Sequence, residues 1–151
     1  MVKQIAHELK NYNLYQSYAN YFSVEGIVDL DVYYQRRAIE EYNHHEWVMK
    51  YLSDADFKFM YPAIEQNTEK VTNYMDPFTQ TVDREIMTTE MIYAIYEQCQ
   101  KEKDYMTCSW LYDKLIKEQI EEENVTRMAR TIMEETSDIF LRAKKVLKLL
   151  N

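Results

Sequence analysis

On four stripes, glutamates stand where apolar residues are expected. Ile5, Tyr12, Tyr15 and Ala19 form a helical stripe that passes through Glu8, and Tyr34, Ala38, Val48 and Leu52 bracket Glu41. Phe78, Val82 and Ile92 bracket Glu85, while Leu111 and Leu115 lead into Glu118 and Glu122 ahead of Val125. His44 follows Glu41 at i+3 and so shares its helix face. One unpaired buried carboxylate costs several kcal/mol, and four would exceed the ~5–15 kcal/mol stability of a whole domain. Lys and Arg do not fall on these stripes in sufficient number, Lys114 and Lys117 lying off the seam. Two divalent cations would balance Glu8, Glu41, Glu85 and Glu122, with His44 as a neutral nitrogen ligand. A donor set rich in oxygen with one nitrogen suits iron or manganese better than a thiolate-seeking ion. Any one of these glutamates alone reads as the rim of a core with its tip in water. Convergence from several helices, together with the Glu-x-x-His pair, points to metal. His7 and His45 lack such a context and are expected at the surface. Tyr12, Tyr15 and Tyr34 read as packing, with Tyr15, two turns beyond Glu8, able to reach the centre.

Long helices must hold these residues. The 151-residue chain has one glycine and two prolines, too few for the turns of β-sandwiches and barrels or the Gly-rich loops of dinucleotide-binding sheets. Apolar periodicity marks helices over about Ile5–Phe22, Leu30–Leu52, Asp76–Cys99 and Tyr105–Met133. The turn Ser23–Asp29 contains Gly26, the third helix opens with Asp76 as N-cap ahead of Pro77, and the charged segment Gln100–Asp104 ends it. Ser53–Met75 has a weaker pattern. A helix of ~25 residues is ~37 Å long, and a connector of this length spans it at ~3.3 Å per residue. The second and third helices are therefore expected to run parallel across one long crossover. After the polar link Glu134–Asp138, Ile139–Leu150 reads as a short fifth helix.

The formal charge of −8 and the lack of a basic run argue against nucleic acid and anionic membrane surfaces, and suit cations. No apolar run is long enough for a membrane span, and Met1–Asn13 has no signal-peptide core. Cys99 and Cys108 have no metal-type spacing and read as free thiols in a reducing cytoplasm.

From about Gln4 to Leu147 the chain resembles the bacterial non-haem ferritins, on the runs Glu8–Tyr15, Arg36-Arg37-Ala38-Ile39-Glu40-Glu41-Tyr42-Asn43-His44, Tyr51-Leu52, Glu85, Asp104-Tyr105 and Glu118-Gln119-Ile120-Glu121-Glu122-Glu123. The resemblance implies an all-α, ferritin-like four-helix bundle, with a long crossover between helices two and three and a short C-terminal fifth helix, as a single domain over residues 1–151. It implies a di-iron ferroxidase centre. Glu8, Glu41 and His44 match the first iron site, and Glu41 would bridge to a second iron held by Glu85 and Glu122 with Gln119 nearby. Glu40, Glu118 and Glu121 match an additional iron site that shares Glu122, and Tyr15 matches the tyrosine beside the centre. The implied activity is oxidation of Fe2+ by O2 or H2O2 and storage of ferric mineral in a homo-oligomeric, 24-subunit cytoplasmic shell. Retention of every one of these positions argues against an inert subunit. Tyr42 replaces the methionine that binds haem in bacterioferritin, so no haem is expected, and no Cys-x-x-Cys module of the rubrerythrin type is present. The alternatives are a non-storing di-iron oxidase or peroxidase on the same bundle, and a structural bundle without metal.

Overall fold

The computed structural model describes residues 1–150; Asn151, the last residue of the expected domain, lies outside them. The described residues are helical, without strands: α1 (Val2–Val24), α2 (Val28–Asp54), α3 (Asp76–Glu102), α4 (Tyr105–Leu111), α5 (Lys117–Met133) and α6 (Ile139–Leu147). A π-helical turn, Tyr112–Ile116, joins α4 to α5, and a 3-10 turn, Lys148–Leu150, follows α6.

Local chemistry sets most boundaries. Gly26 adopts a φ of +74°, the left-handed conformation that glycine takes without a Cβ clash, and reverses the chain between α1 and α2. Asp29 and Asp31 then lie in the first turn of α2, where carboxylates favour the positive end of the helix dipole. The start of α3 differs from expectation. Asp76 is the first helical residue rather than the cap, and Asn73 Oδ1 accepts the backbone N–H groups of Met75 (2.8 Å) and Asp76 (3.2 Å). The Asp76 carboxylate instead folds back to accept from the Thr72 backbone N–H at 2.7 Å. At the other end Lys103 turns left-handed, φ 60°, and Asp104 caps α4 by accepting from the Thr107 N–H at 3.1 Å.

The expected single helix from Tyr105 to Met133 is interrupted by the π turn. A π turn holds one extra residue. The inward positions after the turn are Gln119, Glu122, Thr126, Ala129 and Met133, with Thr126 in the place expected of Val125.

Two apolar clusters fix the directions of the helices. One joins Ile5 and Leu9 of α1, Val48 and Leu52 of α2, Ile92 and Cys99 of α3, and Cys108 and Leu111 of α4. The other joins Phe22, Leu30 and Tyr34, Phe78, and Ala129 and Met133. Each cluster collects the start of α1 and α4–α5 with the end of α2 and α3, or the reverse. The α1–α2 and α3–α5 pairs are therefore antiparallel, and α2 and α3 run in the same direction, bridged by the irregular residues 55–75. Ala143 and Val146 of α6 close the second cluster at one end. Between the clusters, the bundle centre is polar. No helix among the described residues is long and apolar enough to cross a membrane.

Candidate metal centre

All four long rods send acidic side chains into this middle layer. Glu8, Glu41, Glu85 and Glu122 are buried, as are His44 and Gln119. Helical spacing accounts for it: each occupies an inward position between the apolar residues of the two clusters, so the packing that orders the helices also drags the carboxylates inside.

Ligand atoms of Glu8, Glu41 and His44 lie within 4.8 Å of one another. Gln4 Nε2 donates to Glu8 Oε1 at 2.6 Å, while the buried Glu8 Oε2 has no hydrogen-bond partner. Burial, opposed by hydrogen bonds from Glu41 and Gln4, pushes the Glu8 carboxyl up to about 7. Burial and the nearby Glu85 and Glu8 charges push Glu41 well above the carboxylate range. Both carboxyls thus hold a proton more tightly than an ordinary carboxylate does. Burial lowers His44 to about 4, so its ring is neutral and offers a lone pair. Two carboxylates that resist ionisation, one of them with an orphaned oxygen, beside a neutral imidazole fit a divalent cation.

The neighbouring position is built differently. Arg37, on α2, is fully buried, and its guanidinium lies between Glu85 and Glu122. Nη2 donates to Glu85 Oε1 at 2.7 Å, and Nη1 contacts both Glu122 Oε2 and Glu40 Oε2, the latter at 3.0 Å. Tyr15 Oη also donates to Glu85 Oε1, at 2.7 Å, and Gln119 Nε2 donates to Glu85 Oε2 at 2.9 Å. Burial opposes the charge on Arg37, but Glu85 foremost holds its pKa well above the ordinary value. Lys and Arg are expected not to fall on the stripes in sufficient number, but Arg37 does reach the seam and pairs with two of the glutamates. Arg37 lies one turn before Glu41 and therefore shares its inward face, a position that the sequence displayed but that stripe counting passed over.

Glu40, Glu118 and Glu121 do not form a separate ligand cluster among the described residues. Glu118 instead groups with His44 and Glu122, Glu40 pairs with Arg37, and Glu121 is exposed. His7 and His45, expected at the surface, are buried. His7 Nε2 lies 2.7 Å from Thr88 Oγ1 and 3.3 Å from Asn11 Nδ2, and Asn11 Nδ2 reaches Glu41 Oε2 at 3.5 Å. His7 thus belongs to a polar layer behind the centre. His45 stacks edge-on against Tyr42 and contacts its backbone carbonyl. His7 lies one turn from the buried Gln4 and Asn11 and shares their helix face; polarity alone misleads.

The sequence model of the ferritin-like domain family matches residues 1–136. A bacterial non-heme ferritin of Staphylococcus aureus (strain USA300) is 25% identical over 122 residues, covering 81% of this chain and 73% of the relative. Ferritin BfrB of Mycolicibacterium smegmatis is 27% identical over 119 residues, covering 79% of this chain and 65% of the relative. Helix order, the buried carboxylate–histidine layer and a match over most of the chain lead to one assignment: this chain belongs to the ferritin-like domain family.

Proposed function

We propose that this chain takes up Fe2+ at Glu8, Glu41 and His44, oxidises it to Fe3+, and stores the product as ferric mineral inside a shell of its own copies. The observation that carries this reading is the unpartnered Glu8 Oε2 within a buried Glu–Glu–His cluster. A buried oxygen without a donor is costly, and a cation removes the cost. Iron is the cation of choice because relatives matched along most of the chain carry the name ferritin. Carboxylate oxygens are hard anionic donors that stabilise Fe3+ more than Fe2+, which favours loss of the electron. Each Fe2+ gives up one electron, and O2 or H2O2 is the acceptor. A proton held on these raised carboxyls leaves as the ion enters, so entry of the cation and departure of the proton are coupled. His44 is already neutral and supplies its lone pair without a prior deprotonation.

Around this centre, Tyr15 and Gln119 fix the Glu85 carboxylate from two sides. Glu118 and the exposed Glu121 offer oxygens between the centre and the surface, a route by which Fe3+ leaves for the mineral. The net charge of −8 draws cations toward such a surface. A homo-oligomeric 24-subunit shell in the cytoplasm completes the proposal. The two buried free thiols, Cys99 and Cys108, accord with a reducing compartment.

Aerobic addition of Fe2+ to the purified full-length chain, followed by native mass determination, tests this. The expected result is a ferric absorbance that develops faster than in buffer, with iron retained in particles of several hundred kilodaltons. Glu41→Ala should retain the assembly and lose the accelerated oxidation. Oxidation at the buffer rate in the unmodified chain would overturn the proposal. Fast oxidation by a species near 18.4 kDa would favour a non-storing oxidase.

A further inference from the structure

The two halves of the buried centre differ in whether a basic side chain enters them. At Glu8, Glu41 and His44 there is an oxygen without a donor and no basic side chain. At Glu85 both carboxylate oxygens receive donors and a guanidinium stands between Glu85 and Glu122, while Glu122 Oε2 and Arg37 Nε make no well-formed hydrogen bond. Glu85 Oε1 receives Arg37 and Tyr15, Glu85 Oε2 receives Gln119, and Glu122 Oε2 faces the same guanidinium. A second cation bound to both Glu85 and Glu122 would need the volume that the guanidinium fills. It would also place a charge of two beside a residue that cannot shed its proton.

Arg37 is in addition held from a third side. Its Nη1 reaches Glu40 Oε2 at 3.0 Å, and its guanidinium carbon lies 5.9 Å from the centre of the Tyr15 ring, a cation–π distance. Both Arg37 and Glu85 side chains are 2% exposed. Water offers little compensation if the pair separates, so removing Arg37 from Glu85 strands a charge in a dry interior.

We infer that Arg37 is an internal cation that closes the metal position between Glu85 and Glu122, so that this chain holds one tightly bound divalent ion, at Glu8, Glu41 and His44, rather than two, the His44–Glu118–Glu122 grouping having to share His44 with that ion. This rests on the proposed metal-binding role of the centre, and it changes the stoichiometry implied by the resemblance to di-iron ferritins. Glu85 is then a partner of Arg37, Tyr15 and Gln119 and not a ligand of the tight ion. Arg37 is a positioning residue: it fixes Glu85 and Glu122 and touches no ion.

The test uses a redox-inert ion, so that binding is read apart from oxidation. Metal-stripped full-length protein is titrated with Zn2+ by calorimetry, and bound zinc is counted after dialysis. Glu41 would serve both positions of a two-ion centre, so the centre's occupancy is the count lost in Glu41→Ala. The expected difference is about one ion per chain in the unmodified protein and about two in Arg37→Gln. Two ions in the unmodified protein would overturn the inference while leaving the metal-binding reading intact. No ion at all would overturn both. Glu85→Gln supplies a check that does not require the Arg37 variant to fold. It should leave the affinity of the first ion within about twofold, and a loss of tenfold or more would make Glu85 a ligand and overturn the inference.

Discussion

Arg37 Nη2 lies 2.7 Å from Glu85 Oε1, and each side chain is 2% exposed. Separating a pair this dry leaves a bare charge, which costs about 3–5 kcal/mol. Arg37→Leu should therefore lose about that much stability in the metal-free protein, read by urea unfolding. Part of the loss should return with added Zn2+, because the vacated position would then accept an ion. A loss below about 1 kcal/mol would mean that the ion pair contributes little to the fold.

Tyr15→Phe removes one donor from Glu85 Oε1 but leaves Arg37 and Gln119 in place. The ring still packs against Tyr18 and Tyr34. A hydrogen bond to a charged acceptor is worth about 1.5–3 kcal/mol, and the lower end applies here because the other donors persist. Denaturant midpoints of the two proteins check this; equal midpoints would show that the hydroxyl is dispensable to stability.

Metal binding at the centre should depend on pH in a defined direction. Glu8 is raised from an ordinary value of 4.5 to about 7 by burial, and Glu41 is raised as well. An ion must displace a proton held on these carboxyls, so Zn2+ affinity should climb as pH rises through about 7. The folded metal-free chain keeps a proton that the unfolded chain releases near 4.5. The contribution of this pair to metal-free stability therefore declines as pH rises from about 4.5 to about 7. The thermal shift produced by Zn2+ should grow over the same window. A shift that is flat between pH of about 5.5 and about 7.5 would contradict the raised carboxyls.

His7 predicts an opposing acid effect. Burial, with the Arg84 charge, lowers it from 6.5 to about 4. The unfolded chain binds the proton first, so this residue's contribution to stability is lost as pH falls from about 6.5 to about 4. In His7→Gln, whose amide can still meet Thr88, the acid-side slope of stability should be shallower by up to about one proton. Urea unfolding at several pH values measures it, and an unchanged slope would show that His7 does not resist protonation in the fold.

The long helices and the inward glutamates were legible because both follow from one periodicity. Glu8, Glu41, Glu85 and Glu122 occupy core positions in the pattern, and the structure buries them. Arg37 was not legible by the same means. Its positive charge reads as solvent-seeking, and only the three-dimensional meeting of α2 with Glu85 on α3 and Glu122 on α5 shows what compensates it. His7 was misjudged for a similar reason: its partners Thr88 and Asn11 are satisfied across and along helices, 81 and 4 residues away. The π turn at Tyr112–Ile116 leaves no mark in the apolar pattern: beyond it Glu122 and Ala129 face inward as expected, and only the position between them differs, Thr126 being buried rather than Val125.

The most direct measurement is anomalous diffraction from crystals of the full-length protein loaded with Fe2+ under anaerobic conditions. The account predicts an iron peak bounded by Glu8, Glu41 and His44, with the Arg37 guanidinium still between Glu85 and Glu122. Iron absent from that position, with Glu8 and Glu41 joined only to each other and to Gln4, would contradict it.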